Sequence, residues 1–392
     1  MARIVAHLDM DAFFASVELL RYPQLAHEAV VIGGRSSASL ERLAGLLHVH
    51  GAPEAIPVQA FGQLSDYRGR GVITTATYPA RAFGIGSGMG IMRAARLCPH
   101  AILLPADFER YRSYSRRFKA IVTRHGLPVE DRGIDEVYIE LRGCRNLLEA
   151  QVLARALQDE ISAETGLSCS IGLAPNKLLA KLASDLDKPR GLTMLEQDAV
   201  AERIWPLPVI RLHGVGPRTA ERLQRLGIHT IGELAHCDPQ PLVAAFGTRH
   251  ACWLQGAACG QDERPIVEYT EPVSMSRETT LERDMHPVHD REALGTIFTA
   301  LCTRLAADLR ARGRQCRALS VKLRNDQFKT TTRDLSFVEP IDDAQSIRRQ
   351  AGQCLKRLPM GRRIRLLGVR ASRLVARQEA EALSLQTPID CS

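Results

Sequence analysis

The sequence contains no run of apolar residues that approaches the roughly 18 needed to cross a bilayer as a helix. Its first residues, MARIVAHLDMDAFF, reach Asp9 and Asp11 too soon to contain the apolar core of a secretory signal peptide. Internal repeats and low-complexity tracts are also absent. The first absence excludes a membrane protein, and the second predicts that no secretory signal is present.

Cysteine pairs with metal-binding spacing are missing as well. The chain has ten cysteines, and no two of them are spaced as C-x-x-C. Neither a zinc site nor a disulfide framework is therefore indicated. Reduced thiols fit a cytosolic protein best, so the sequence predicts a cytoplasmic location.

The length and composition indicate a globular protein of several domains. At 392 residues, with 45% hydrophobic residues, the chain is expected to form about two to four domains with real cores. The formal net charge is +8, but residues 270–377 alone contain 22 Lys and Arg against 12 Asp and Glu. Basic clusters lie at 310–317 and 356–365. This C-terminal charge favours a surface for a phosphate backbone, and a solvated basic surface is the alternative.

The hydrophobic pattern predicts an α+β core, then a small helical module, then a compact α/β unit. Short alternating strands and amphipathic helices follow one another as far as residue 195. Residues 205–260 contain only short helical pieces separated by glycines. After Pro272 the pattern predicts helix 290–312, strand 316–325, strand 330–337, helix 342–357 and strand 363–375.

Three carboxylates stand at the ends of predicted strands. Asp9 ends the first strand, and Asp135 and Glu136 begin another, so neighbouring strands could bring all three together. Hard oxygen ligands of this kind suit Mg²⁺, and two such ions about 4 Å apart can promote nucleotidyl transfer. The alternative is ordinary surface charge, as for the Asp-Glu pairs at 159–160 and 262–263.

Two further segments could contact phosphate groups. In TTATYPAR, residues 74–81, Thr75, Tyr78 and Arg81 could present two hydroxyl groups and a guanidinium to phosphate oxygens. Lys188, just before Pro189, could add a point charge on a triphosphate. The alternative is a strand-to-helix turn with no ligand.

The segment RLHGVGPRTAERLQRLGIHTIGEL, residues 211–234, has the pattern of a helix-hairpin-helix. Gly214 and Gly216 bracket a tight turn, and a helix begins near Pro217. Backbone N–H groups at that helix start would face a DNA phosphate without reading the base sequence. A simple αα-corner is the alternative.

Taken together, five segments resemble the Y-family translesion DNA polymerases, and most closely the bacterial DNA polymerase IV group. They are HLDMDAFFASVE (7–18), GVITTATYPARAFGI (71–85), IDEVY (134–138), IGLAPNKLLAKLASDLDKPRG (171–191) and the hairpin segment 211–234. Their order and spacing match over nearly the whole chain, apart from 35–70 and the last dozen residues.

The resemblance implies an α+β right-hand polymerase with palm, fingers, thumb and a C-terminal α/β little-finger domain. The implied divisions are a palm of 1–10 and 106–197, fingers of 11–105 with the excursion 35–70 inserted, a thumb of 198–265, a little finger of 272–377 and a flexible tail of 378–392.

By position, the resemblance makes Asp9, Asp135 and Glu136 the catalytic carboxylates and ligands of two Mg²⁺ ions. The Met10 carbonyl would be an additional ligand. Four side chains would hold the incoming deoxynucleoside triphosphate (dNTP): Thr75, Tyr78, Arg81 and Lys188. Gly214 and Gly216 would bind DNA.

Phe14, five residues after Asp9, occupies the steric-gate position of the resembled family. There an aromatic ring would lie under the sugar, clash with a 2′-hydroxyl and so select deoxynucleotides. Core packing is the alternative for this residue, and of the two neighbours Phe13 is the one expected in the core.

The sequence departs from the family pattern near the proposed active site. Gly133 replaces a usual serine two residues before Asp135, which could loosen the palm near the metals. Gly88 and Gly90, in SGMG (87–90), replace residues that are usually bulkier or stiffer, and Gly86 replaces a common basic residue. These positions would face the templating base, which predicts a roomy or mobile roof.

Two other segments are unusual. The excursion 35–70 is longer than the family's usual link, with a short helix expected near 38–48. A surface loop is the default interpretation, and a contact with template or a partner protein is the alternative. The tail segment ALSLQ, 382–386, resembles a weakened sliding-clamp peptide, so clamp binding is left open.

The sequence thus predicts a low-fidelity, template-directed DNA polymerase that bypasses lesions without a proofreading domain. Its partners would be primer-template DNA and dNTPs, and a monomer is expected. A non-catalytic relative that serves as a DNA- and clamp-binding scaffold in mutagenesis is the alternative, because of Gly133. A nuclease or glycosylase built around the helix-hairpin-helix would leave the palm motifs unexplained.

Overall fold

The structure is a computed structural model that describes residues 3–34 and 37–377, without the side chains of Ser37 and Ala38. The chain divides into two compact units between Tyr269 and Thr270. In the part of the chain that the structure describes, no helix is long and apolar enough to cross a bilayer. The proposed clamp segment 382–386 lies outside the described residues.

The first unit contains eight strands and twelve helices in its described residues. Its strands are β1 Val5–Met10, β2 Val30–Gly33, β3 Ile73–Ala76, β4 Ile102–Leu104, β5 Val129–Asp131, β6 Glu136–Glu140, β7 Cys169–Ala174 and β8 Leu192–Met194. Its helices are α1 Phe13–Arg21, α2 Ser37–His50, α3 Tyr78–Ala82, α4 Ile91–Leu97, α5 Phe108–Arg124, α6 Leu147–Thr165, α7 Lys177–Leu186, α8 Val200–Arg203, α9 Pro217–Arg225, α10 Ile231–His236, α11 Pro239–Phe246 and α12 Thr248–Ala258.

A five-stranded sheet in the order β5-β6-β1-β7-β8 forms the centre of the first unit. Strand β1 is antiparallel to both β6 and β7, and β7 is parallel to β8. The predicted alternation along β1 is confirmed. Its even-numbered residues enter the core shared with α5 and α6, and Val5 enters the core shared with α7. The face that carries His7 and Asp9 is therefore the α7 face.

The first unit also contains a smaller sheet in the order β3-β2-β4, and the described residues of the excursion 35–70 pack against it. The described residues of this excursion are mostly exposed or half-buried, as a surface segment would be, but three of them are buried. Helix α2 confirms the predicted short helix, and Ile56, Phe61 and Leu64 are all at most 3% exposed. Gly62 and Leu64 also exchange backbone hydrogen bonds with Leu103 and Ala101. The excursion thus covers the outer edge of β4, which would otherwise present unpaired backbone groups.

Residues 205–260 form the predicted series of short helices. Proline at the first helical position begins α9 and α11, where the missing N–H costs no hydrogen bond. Thr230 and Glu233 form a capping box at the start of α10. The short helices therefore have clear local start signals.

The second unit is an antiparallel sheet packed against two helices. It contains β9 Ser274–Met285, α13 Arg291–Ala311, β10 Arg314–Asn325, β11 Thr330–Ile341, α14 Ala344–Lys356 and β12 Ile364–Ala376, with the sheet order β11-β10-β12-β9. Five of these six elements were predicted near their observed positions. Strand β9 was missed, because it is an edge strand in which only Leu281 is buried.

Candidate active site

Strand pairing brings two of the predicted carboxylates face to face. Asp9 on β1 is the direct cross-strand partner of Glu136 on β6. Asp135 directly precedes β6, and its backbone oxygen accepts a hydrogen bond from the N–H of Met10 at 3.0 Å. Burial raises the pKa of Asp135, and the charges of Asp9 and Glu136 raise it further. The three carboxyl groups therefore interact electrostatically where β1 ends and β6 begins.

Two lysines neutralise this carboxylate cluster. Nζ of Lys181 lies 2.6 Å from Oε2 of Glu136 and 3.4 Å from Oδ2 of Asp9. Nζ of Lys188 lies 2.9 Å from Oδ1 of Asp9 and 2.8 Å from Oδ1 of Asp185. Burial acts to lower the pKa of both lysines, but Asp9 and the other carboxylates raise it overall. The cluster is thus a strong site for positive charge.

Sequence reasoning missed the contribution of His7 to this cluster. His7 is fully buried, and its Nε2 lies 3.3 Å from Oε2 of Glu136. Its Nδ1 lies 2.8 Å from Oγ of Ser184, which donates to the backbone oxygen of Lys181. Burial raises the pKa of Glu136, but its contacts with His7 and Lys181 outweigh this and lower the pKa to about 2.

The side chains at these strand ends include ligand atoms that suit a metal ion. A nitrogen of His7 and carboxylate oxygens of Asp9 and Glu136 lie within 4.8 Å of one another. The only signal for His7 in the sequence is that it alternates with Asp9 on the same strand face. Asp135 is not part of this group of mutually close ligand atoms, although the charges of Asp9 and Glu136 raise the pKa of Asp135.

Asp11 positions the loop that carries Lys188, a role that sequence reasoning missed. The carboxylate of Asp11 is 2% exposed and accepts hydrogen bonds from Oγ of Ser170 at 2.7 Å and from the N–H of Arg190 at 2.9 Å. These contacts join segments far apart in the chain. Asp11 therefore has a structural role, beside the carboxylates that face Lys181 and Lys188.

The segment 74–81 places a buried hydroxyl group without a partner on the same side as Lys188. Tyr78 begins α3, and its hydroxyl oxygen has no hydrogen bond within the described residues. Burial raises the pKa of Tyr78, the charge of Asp11 raises it further, and Lys188 opposes this. An unpaired buried hydroxyl is costly, so this group is suited to a ligand oxygen.

The other two residues of that segment are placed differently. The guanidinium of Arg81 lies 4.9 Å from the ring centroid of Tyr78, and its Nε donates to the backbone oxygen of Ala76 at 3.0 Å. Thr75 lies on β3 and is 7% exposed. Arg81 thus combines a fixed Nε with an exposed side chain.

Phe13 and Phe14 differ in burial, as the sequence predicts. Phe13 is 3% exposed and belongs to the core of the first unit, whereas Phe14 is half-buried. The Phe14 ring stacks on Tyr111 with centroids 4.4 Å apart. The partly open ring of Phe14 is therefore compatible with contact to a ligand.

The turn at Gly133 is fixed without a serine hydroxyl. Its N–H donates to Oδ1 of Asp131 at 3.2 Å, and its carbonyl accepts from Nζ of Lys119 at 2.5 Å. A Cβ atom at this position would lie 3.6 Å from Oδ1 of Asp135, an ordinary contact. The glycine thus neither distorts the turn nor is required by it.

The hairpin glycines lie directly before α9. Gly214 has a φ of 99°, and a Cβ atom there would be 2.6 Å from the ring of Trp253, so a larger residue is excluded. Gly216 is the N-cap of α9 and leaves the first N–H groups of that helix without a side-chain cap. This arrangement is suited to an anion at the helix start.

Three regions of the chain match models of one protein family. Residues 8–185 match the impB/mucB/samB family, residues 272–385 match its C-terminal domain, and residues 197–228 match the IMS family HHH motif. The chain belongs to this family, the Y-family of DNA polymerases.

Individual relatives extend the likeness along almost the whole chain. The chain is 38% identical over 373 residues to DNA polymerase IV from Methanoculleus marisnigri, and the aligned region covers 95% of each protein. It is 33% identical over 381 residues to DNA polymerase IV 1 from Bacillus subtilis, with coverage of 97% of this chain and 84% of that protein. The interpretation as a Y-family polymerase is thereby confirmed, and the non-catalytic scaffold is not supported.

Solved structures show the same fold. A Y-family DNA polymerase chimera matches with a TM-score of 0.77 at 23% identity, over 95% of this chain and 99% of that chain. DinB from Sulfolobus solfataricus matches with a TM-score of 0.60 at 23% identity, over 94% and 98%. The predicted fold class, a right-hand polymerase with a little-finger domain, is confirmed.

Proposed function

We propose that the chain is a low-fidelity, template-directed DNA polymerase that extends primers and bypasses lesions without proofreading, with Asp9, Asp135 and Glu136 as its catalytic carboxylates. The observation that carries this assignment of residues is the cross-strand pair of Asp9 and Glu136, with Asp135 next to it. Phosphoryl transfer needs mainly positioning and neutralisation of charge, so a carboxylate cluster with nearby cations is an adequate set.

The proposed cofactor is a pair of Mg²⁺ ions held by Asp9, Asp135, Glu136 and the Met10 carbonyl. Hard carboxylate oxygens are the ligands that Mg²⁺ prefers, and the lysine ammonium groups beside them support a site for positive charge. When bound, the ions would activate the attacking hydroxyl and stabilise the leaving pyrophosphate. The carboxylates of this chain fix where those ions can bind.

The triphosphate would contact Thr75, Tyr78, Arg81 and Lys188. Tyr78 supports this most directly, because its buried hydroxyl lacks a protein partner among the described residues. Lys188 is held near Asp9 by the loop that Asp11 positions, and an ammonium there neutralises phosphate charge. Phe14 would select the deoxyribose sugar.

DNA would be held through its backbone phosphates by both units. In the first unit, Gly214 and Gly216 present backbone N–H groups at the start of α9. In the second, residues 270–377 contain 22 Lys and Arg against 12 Asp and Glu. Contacts of this kind do not read base sequence, so selection of the nucleotide falls to pairing with the template.

The assignment is tested by primer extension on an undamaged template, with Mg²⁺ and all four dNTPs. Asp135→Ala should abolish extension. Asp159→Ala removes an exposed aspartate from another Asp-Glu pair, on α6, and should leave extension unchanged. Extension by the Asp135→Ala protein equal to that of the wild type would exclude Asp135 from catalysis.

The remaining proposals concern partners and location. We place the protein in the cytoplasm as a monomer, and we propose that segment 382–386 binds the sliding clamp. Removal of residues 381–392 should then abolish stimulation by the clamp while basal extension persists. Unchanged stimulation after this truncation would contradict the clamp proposal.

A further inference from the structure

Phe14 belongs to a cluster of aromatic rings where α1 and α5 begin. Tyr111 stacks on Phe14 with a centroid distance of 4.4 Å and an angle of 19° between the rings. Phe108 packs edge-on against both rings, with centroids 5.8 Å from each. Phe13 lies 5.5 Å from Phe14 on the core side. Three rings therefore fix the position of the half-buried Phe14 ring.

The ring of Tyr111 is itself anchored by a buried carboxyl group. Its hydroxyl donates to Oε1 of Glu18 at 2.6 Å, and the two residues are 0% and 3% exposed. Tyr111 lies in the first turn of α5, which Asp107 caps by accepting from the N–H of Arg110. Glu18 follows Phe14 by four residues, so both lie on one face of α1. The hydrogen bond thus joins the two helices beside the Phe14 ring.

Simple packing does not explain a glutamate at this position. Burying a carboxyl group is costly, and burial raises the pKa of Glu18. An apolar side chain of similar size would fill the space without that cost. A directional hydrogen bond between buried groups fixes one arrangement of the rings, which apolar contacts alone do far less well.

We propose that Glu18 and Tyr111 are positioning residues for sugar selection, because their hydrogen bond holds Tyr111, which in turn holds Phe14 in place. This inference rests on the proposed role of Phe14 as the steric gate. Exclusion of a single 2′-hydroxyl group requires a ring that does not yield, since a displacement of about 1 Å is enough to change reactivity severely.

The test is single-nucleotide insertion by the whole chain, with a dNTP and with the matching ribonucleotide (rNTP). Tyr111→Phe keeps the ring and removes only the hydroxyl group. The ratio of kcat/KM for the dNTP over the rNTP should fall about tenfold, which corresponds to about 1.4 kcal/mol of relative barrier. We expect most of the change as faster rNTP insertion. Partial unfolding cannot produce that result, because it lowers both rates.

Companion variants separate the hydrogen bond from general damage. Glu18→Ala should lower the ratio as much as Tyr111→Phe, whereas Glu18→Gln keeps an acceptor oxygen and should retain most of it. Both single variants break the same bond, so their combination should lose little more than either alone. As a control, Tyr22→Phe removes another buried tyrosine hydroxyl, from a ring that packs against Phe61, and should leave the ratio unchanged.

Phe14→Ala distinguishes failure of the inference from failure of the gate. If the ratio falls in Phe14→Ala but stays at the wild-type value in Tyr111→Phe and Glu18→Ala, the positioning role is overturned and the gate stands. If Phe14→Ala itself leaves the ratio unchanged, Phe14 is not the gate, and the positioning role is overturned with it.

Discussion

The ammonium group of Lys181 lies where it would repel the proposed metal ions. Its Nζ contacts both Glu136 and Asp9, and the side chains of Lys181 and Asp9 are each 15% exposed. Two unit charges 4 Å apart interact by about 4 kcal/mol at an effective dielectric constant near 20. We therefore expect Lys181→Met to strengthen Mg²⁺ binding about tenfold, measured without DNA from the rise in Tm with Mg²⁺ concentration.

The same substitution should have the opposite effect on the metal-free protein. Without Mg²⁺, the Lys181→Met protein should melt below the wild type, because Asp9 and Glu136 lose the lysine that contacts both of them, while Lys188 contacts only Asp9 of the two. Lys356→Met removes an exposed lysine from α14 and serves as the matched control, with neither effect. An unchanged Mg²⁺ dependence in Lys181→Met would refute competition between the ammonium and the metal.

Residues of the candidate site differ in how far the sequence could predict them. Asp9 and Glu136 could be placed together because strand alternation and strand order leave few arrangements. His7 lies on the same face, but one sequence does not distinguish a buried histidine that contacts a carboxylate from one that only fills space. The contact of Asp11 with Ser170 spans 159 residues, and no local pattern encodes it.

Among the elements, the excursion that includes α2 should contribute to stability through its contact with β4. Leu64 is fully buried, and its N–H donates to the backbone oxygen of Ala101 at 2.8 Å. Leu64→Ala should lower the free energy of unfolding by about 2–5 kcal/mol, because it leaves a cavity in the core. Urea denaturation of the whole chain measures this loss.

A leucine on the exposed side of the same excursion provides the comparison. Leu40 on α2 is 40% exposed, so Leu40→Ala should change the free energy of unfolding by no more than about 0.5 kcal/mol. Equal effects of Leu40→Ala and Leu64→Ala would contradict the packed arrangement of the excursion.

Local features of the sequence explain why the burial of the excursion and the presence of strand β9 could not be predicted. The residues that cover β4 are a few extended positions between 3-10 turns, with glycine and proline on either side. Such residues resemble a loop in sequence, because their burial depends on the strand they meet. Strand β9 was missed for the related reason that an edge strand with polar residues on both faces lacks alternation.

The glycines before α4 leave open space on the proposed roof over the template. A Cβ atom at Gly86 or Gly90 would meet nothing within 4 Å, and neither residue has a positive φ. Gly86→Val combined with Gly90→Val should therefore fold normally, yet reduce bypass of bulky minor-groove adducts about tenfold relative to undamaged template. Primer extension past a defined adduct measures the ratio.

Gly361→Val is the matched control for the roof, because a Cβ atom there also meets nothing within 4 Å, but in the second unit. Gly88 is left unchanged, since its φ of 79° would strain any side chain and confuse the result. If the double variant bypasses the adduct as well as the wild type does, the open roof does not accommodate lesions.

For the whole molecule, charge is divided unequally between the two units, and the division bears on how DNA is held. The central strand β12 carries Arg370, exposed on the sheet face opposite the helices and directly across from Ser320 and Ser276. If Arg370 contacts a backbone phosphate, Arg370→Gln should weaken DNA binding equally for different sequences. The slope of log K against log salt concentration should become shallower by about 0.9.

The salt slope distinguishes a phosphate contact from a solvated charge, because only a phosphate contact releases a counterion from DNA. Arg145→Gln removes an arginine from the first unit that pairs with Glu149, and it should leave both the affinity and the slope unchanged. An affinity loss in Arg370→Gln that depends on base sequence would instead indicate base contacts. An unchanged slope would assign Arg370 to the solvated basic surface and leave DNA binding to other residues of the second unit.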